Sequence, residues 1–234
     1  MAGLEGAGAS HARYFNNSAH SDVTIHFSDR QVKAHKIVLA SQSEHFRAMF
    51  EGGFAEATSR DIHLHEDDPE AMYGALAWCY GLLYDGKTTF ESWRLDSMED
   101  PWKRTERDQW TYLINLYATG GKYLMPKMQA HAEEHFTLRM KFAKSPRYAA
   151  FVPRHGPVFR DTWMGRWPTP AKLLYHTLGD CAKELRPAFV KAFWVLAPAF
   201  KDTEMFNQLM VEIPELALDM LKLAIAEKED PKKD

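Results

Sequence analysis

The stretch His131-Ala132-Glu133-Glu134-His135 has the spacing of an inverted zincin motif. Two imidazoles four residues apart share a helix face and could hold one zinc ion, with Glu134 placed to activate water, which would make a zinc hydrolase. Helical-wheel placement argues against it. His131 and His135 fall on the side of Met128, Leu138 and Phe142, the side expected to pack inward, and the pattern arises easily in a chain with 11 histidines. A second stretch, Arg139 to Lys172, carries eight basic residues and the single acid Asp161, interleaved with Phe142, Tyr148, Phe151, Phe159, Trp163 and Trp167. A basic groove lined with stacking rings binds single-stranded nucleic acid. The blander reading is that the rings pin a proline-rich wrap to the core while the basic heads offset an acidic remainder, and that reading is preferred. His63 and His65 alternate with Ile62 and Leu64 and should face solvent; they could serve a pH-dependent contact or simply a solvated strand face. No P-loop, G-x-G-x-x-G, G-x-S-x-G or supported Cys–His pattern occurs in the sequence, so no enzyme, cofactor, metal or small-molecule substrate is expected.

The elements that must position these residues are legible in part. Residues 1–19 are small and polar and read as a flexible tail. Val23, Ile25 and Phe27 alternate with Thr24 and His26, as in a half-buried strand, and after a turn at Ser28 to Gln31 the stretch Val32 to His35 can return as a hairpin. Ile37 to Ala40 begin a helical stretch continued by Phe46, Met49 and Phe50 and stopped by Gly52-Gly53. Ile62 and Leu64 mark a third strand. Asp68-Pro69-Glu70 is a helix start: a capping carboxylate, a proline at the first position and an acid at the positive end. The helix that follows has two apolar rows, Met72/Leu76/Cys79/Leu83 and Tyr73/Ala77/Tyr80/Tyr84. Either it is central, its tyrosine row covered by the C-terminal helices, or that row is kept for a partner. Further helices are expected from about Gln109 to Tyr123, from Pro126 to before Pro146, and from Ala171 on with breaks near Pro187, Pro198 and Pro214.

Composition sets outer bounds. The 234 residues are 45% hydrophobic and 26% charged, with a net charge of −3, which excludes wholesale disorder and names no polyanionic partner. Cys79 and Cys181 cannot build a disulfide framework. The first nine residues lack a signal-like basic start and apolar run, and no stretch is apolar enough to span a membrane. The expectation is an intracellular protein, cytoplasmic or nuclear.

Several separated segments together resemble the BTB/POZ family. Ser21-Asp22-Val23-Thr24-Ile25 is similar to its opening strand, and Val32-Lys33-Ala34-His35-Lys36-Ile37-Val38-Leu39-Ala40 to its "A-H-K-x-V-L-A" segment. Ser43, Phe46, Met49 and Phe50, then Gly53-Phe54-Ala55-Glu56, then Ile62-His63-Leu64 with Asp67-Asp68-Pro69 continue the likeness. Leu116-Tyr117-Ala118 with Lys122-Tyr123 and Pro126 complete it. The tail from Leu173 to Leu221 resembles, more weakly, the helical region after this domain in fungal members.

The resemblance implies an α+β fold, a small three-stranded sheet capped by helices, over residues 20–142 with an insertion at about 86–108. A proline-rich wrap and α-helical extension would occupy 143–234. It implies a non-enzymatic interaction module, an adaptor or scaffold whose partners are proteins: a second copy of the chain, or a cullin if it is a ubiquitin-ligase substrate adaptor. It further implies that Asp22 and Lys36 form a charged pair at the mouth of a partner groove, and that Asp22, His35, Lys36, Met72, Tyr73, Tyr80 and Tyr84 make the interface. Two departures stand out. The family's Ala-Asp before "K-Y" is Gly120-Gly121 here, and Met72-Tyr73-Gly74 lacks the acid of the hydrophobic-x-acid pattern of cullin-binding members.

Overall fold

The computed structural model describes residues 11–53, 55–82, 106–143, 165 and 167–229. They fall into two units, one of residues 11–82 with 115–131 and the other of 106–114 with the chain from 132 on. Residues 86–105 of the insertion expected at about 86–108, Tyr84, and most of the proline-rich stretch lie outside the described residues, while 106–108 belong to the helix that follows.

In the first unit, β1 (Val23–Phe27) and β2 (Arg30–Ala34) pair antiparallel, Val23 opposite Ala34 and Ile25 opposite Val32. Only Ser28 and Asp29 separate the strands, a tighter turn than the sequence suggested, and Ser28 takes a positive φ of 50° as such turns demand. The chain then crosses over through α1 (Lys36–Gln42), α2 (Glu44–Glu51) and α3 (Ala55–Thr58). It returns as β3 (Asp61–Leu64), parallel to β1, giving the order β2-β1-β3. The alternation buries Val23, Ile25, Phe27, Val32, Ala34, Ile62 and Leu64 on one face.

The helical stretch from Ile37 to Phe50 is broken at Ser43, which is extended. Its hydroxyl accepts from the Phe46 amide at 3.1 Å, capping α2, and donates to the Tyr123 carbonyl at 2.6 Å. Within α1, Leu39 is buried and Ile37 is 78% exposed.

Helix α4 (Pro69–Cys79) starts as its sequence dictates, with Asp68 Oδ1 accepting from the Ala71 amide at 2.9 Å. It is the central helix of its unit: Ala71, Met72, Ala75, Leu76, Ala77 and Cys79 are all buried, and burial pushes the Cys79 thiol up to about 12. Helices α5 (Glu106–Lys122) and α6 (Pro126–Ala143) follow. Gly120 answers one departure from the family pattern, because a Cβ there would lie 3.0 Å from the Cβ of Gln129. The glycine lets the end of α5 approach the start of α6.

The described part of the second unit is helical. Short α7 (Pro168–Lys172) runs into a π turn at Leu173–Thr177 and a 3-10 segment at Gly179–Leu185, before α8 (Arg186–Phe200), α9 (Glu204–Glu212) and α10 (Pro214–Glu229). Pro187 and Pro214 open helices, as read from the sequence. Pro198 does not break its helix: it sits within the last turn of α8, where its missing N–H removes only one late hydrogen bond. Trp167 is fully buried among Trp110 (ring centroids 4.9 Å apart), Phe189 (5.3 Å) and Phe193 (5.2 Å).

Candidate functional site

Of the residues assigned to an interface, Asp22, His35, Lys36 and Tyr80 meet at the start of α1, in an arrangement different from the expected one. Asp22 and Lys36 do not pair as charges. Asp22 Oδ1 accepts from the Lys36 backbone N–H at 2.8 Å, while the Lys36 ammonium reaches across to the carbonyl of Ala57 at 2.7 Å and lies 5.3 Å from the centre of the Phe50 ring. An amide at a helix start needs an acceptor, and a carboxylate two strand ends away supplies it; the ammonium ties α1 to the end of α3. The pair is a backbone joint.

His35 and Tyr80 form a closed network. The Tyr80 hydroxyl accepts the His35 backbone N–H at 2.9 Å and lies 2.9 Å from His35 Nδ1; His35 Nε2 lies 2.9 Å from the carbonyl of Ala19. A carbonyl only accepts, so Nε2 carries the proton and Nδ1 accepts from the tyrosine O–H, leaving no polar atom unmatched. Both residues are buried, and burial first of all raises the Tyr80 phenol above its ordinary range.

What covers them is the segment expected to be a flexible tail. Phe15 packs edge-on against Tyr73 (5.2 Å between centroids) and at a tilt against Tyr80 (5.5 Å), and Tyr14 lies edge-on to His35 at 5.9 Å. Asn16 Oδ1 accepts from the Lys33 amide on edge strand β2 at 3.1 Å. Tyr73 and Tyr80 therefore meet Phe15 within their own unit, and Tyr80, fully buried, offers no free surface. Met72 is fully buried and Gly74 is buried, so the position of the hydrophobic-x-acid pattern faces the core. The sequence signal missed was the aromatic pair Tyr14-Phe15, too large for a frayed polar tail, followed by Asn16-Asn17.

The other candidates separate. On α6 the buried row is Met128, Ala132, Phe136, Met140 and Ala143, whereas Leu138 is 42% exposed. The histidines therefore flank the inward side and do not centre it as expected. His131 and His135 are half-buried, Glu134 is exposed, and the His131 ring lies 5.0 Å from that of Trp78. Among the described residues no three His, Cys, Asp or Glu side chains gather as metal ligands would. Of the basic aromatic stretch, Trp167 is core and Lys172 pairs with Glu212 at 2.6 Å; residues 144–164 and 166 lie outside the described residues. His63 stacks on His26 at 4.5 Å across the parallel pair, and His26 Nε2 meets Asp61 Oδ1 at 2.9 Å. His65 is exposed and lends only its carbonyl to Lys122. No described helix is long and apolar enough to cross a membrane.

A three-stranded sheet of order β2-β1-β3 with helices on its connections, keyed by His35 and Asp22 at α1, defines an α+β interaction fold, and comparison with known sequences gives its class. Residues 12–98 match the BTB/POZ domain family model, so this chain carries a BTB/POZ domain. It is similar to Kelch-like protein 17 of Mus musculus, 36% identical over 59 residues, which are 25% of this chain and 9% of that protein. It is similar to a BTB/POZ domain-containing protein of Arabidopsis thaliana, 25% identical over 123 residues, 53% of this chain and 31% of the relative. BTB/POZ domain-containing protein 9 of Drosophila melanogaster is 41% identical over 69 residues, 30% of this chain and 9% of its own length. The chain thus spans a third or less of these relatives.

Proposed function

We propose that this chain is an adaptor or scaffold that works by protein–protein association through its BTB/POZ domain. Family membership of the domain supports the class of function. The observation that carries it to this molecule is an exposed apolar side chain next to an anchored position: Ile37, directly after Lys36 whose amide and ammonium are both bonded, is 78% exposed. Leu124 is 54% exposed and sits at a positive φ of 50°, where a β-carbon is disfavoured. Large apolar groups fixed in solvent by surrounding hydrogen bonds are what a docking partner buries. Light scattering on the purified chain, with and without Ile37→Asp, tests this. The wild type should self-associate or retain a co-purified protein, and the variant should lose that association while keeping its circular dichroism spectrum. Equal behaviour of the two would remove Ile37 from the interface. The reading stays at the level of protein association, and a cullin enters it only as one partner to be tried in the same capture experiment.

A further inference from the structure

The contact made by residues 14–19 has the form of a ligand in a groove. Its floor is preassembled without the segment, since Tyr80 and His35 hold each other through two hydrogen bonds of their own. The segment adds two half-buried rings and two exchangeable hydrogen bonds: Phe15 on Tyr73 and Tyr80, Tyr14 on His35, the Asn16 side chain on the Lys33 amide, and the Ala19 carbonyl on His35 Nε2. Residues 16–20 are otherwise exposed. The Lys33 amide belongs to edge strand β2, so the groove also offers a backbone donor at the sheet edge, taken here by the Asn16 side chain from a turn. Two non-glycine residues, Asn16 (φ 50°) within the docked stretch and His20 (φ 63°) just after it, lie in the left-handed region, so the bound shape is one that release relaxes.

We propose that the surface of Lys33, His35, Tyr73 and Tyr80 is a peptide-recognition groove, closed in cis by residues 14–19, whose partner in trans is a turn-forming segment with two adjacent aromatic residues followed by asparagine. The segment's own chemistry specifies that partner: two rings for the tyrosine shelf, an amide oxygen for the Lys33 N–H, and a carbonyl three residues on for His35. This deepens the association reading and rests on it, with its own groove separate from Ile37.

The test uses a fluorescently labelled synthetic peptide of residues 11–22 and the full chain. Anisotropy titrations should show the peptide binding the Phe15→Ala/Asn16→Ala chain at least tenfold more tightly than the wild type, whose groove is already filled. A peptide carrying alanine at the phenylalanine position should not bind, and Tyr73→Ala added to the double variant should abolish binding. Equal binding to wild type and variant, or none to a folded variant, overturns the groove. Should the double variant fail to fold, hydrogen exchange on the wild type decides: the Lys33 amide, bonded to Asn16, should exchange at least tenfold faster than that of Val32 in the β1–β2 ladder. Exchange of both at one rate means the segment leaves only on unfolding, and the proposal fails. Neither readout involves oligomeric state, so a failure of the Ile37 test is distinguishable from a failure here.

Discussion

The two units are held together in different ways. In the first, strands and helices of four to eleven residues, and the end of the longer α5, meet at joints made by side chains on backbone groups: Asp22 on the Lys36 amide, Lys36 on the Ala57 carbonyl, Ser43 on Phe46 and Tyr123, and Lys122 on the His65 carbonyl. In the second, ring lies against ring, with Trp167 touching Trp110, Phe189 and Phe193, and Phe193 stacking on Phe206. A five-residue strand has too little apolar face to select its own neighbours, so directional bonds must do it. A fifteen-residue helix buries enough surface to be placed by packing alone.

The largest effect that sharpens this contrast belongs to the ring cluster. Trp167→Ala should cost about 3–5 kcal/mol in a denaturant titration, because a fully buried indole is removed from a site whose neighbours are rigid rings. A loss under about 1 kcal/mol would mean the second unit is not organised by this cluster.

Next comes a substitution that removes a single oxygen. Tyr80→Phe keeps the ring under Phe15 but strips the His35 amide and Nδ1 of their partner in a buried place. The expected cost is about 1–3 kcal/mol. Tyr175→Phe in the second unit deletes a hydroxyl that donates to Asp219 at 2.9 Å, where the carboxylate also takes Lys222, and should cost less. If the two losses were equal, directional bonding would not distinguish the units.

Ser43→Ala follows at about 1–2 kcal/mol, since it removes the cap of α2 and unpairs the Tyr123 carbonyl together. Thr203→Ala, a longer cap at 3.3 Å on α9, should cost less in the same titration.

The same contrast decides what was legible in the sequence. Joints are made by particular residue types at fixed spacing, so Asp68-Pro69-Glu70, the alternation around Ile25 and Ile62, and the α1 segment could be read directly and pointed to the domain. The exposure of Ile37 could not, because periodicity treats Ile37 to Phe50 as one helix where the extended Ser43 makes two. Nor could the docking of Phe15: a short segment outside any periodic pattern is placed by a groove that exists only once β2 and α4 have met. The role assigned to Asp22 and Lys36 failed in an instructive way. The two residues do meet, but the carboxylate takes the amide because an N–H at a helix start has no other acceptor, and the ammonium is long enough to find carbonyls elsewhere. In the second unit only helix starts and apolar spacing were readable, since many apolar residues satisfy a packing site and no single type identifies it.

The smallest expected effect concerns acid. Burial, helped by the nearby Lys122 ammonium and opposed by Asp67, lowers the pKa of the His45 imidazole below its ordinary value of 6.5. The unfolded chain therefore binds the proton more readily, and across this window stability rises with pH: the contribution is complete above the ordinary histidine range and is lost as pH falls through the depressed folded value. Asp61 behaves with the same sign lower down, its carboxyl held below 3.8 chiefly by the hydrogen bond from His26. Both belong to the first unit. In the second, Tyr175, raised by burial and by Asp219, gives stability that is lost as pH rises through the alkaline range. Denaturation midpoints followed from pH 7.5 to 5 should therefore fall for the wild type and fall less for His45→Gln, whereas Tyr175→Phe should leave that acid limb unchanged. An acid limb that survives His45→Gln in full would assign it to other groups and remove His45 from the contrast between directional joints and packed rings.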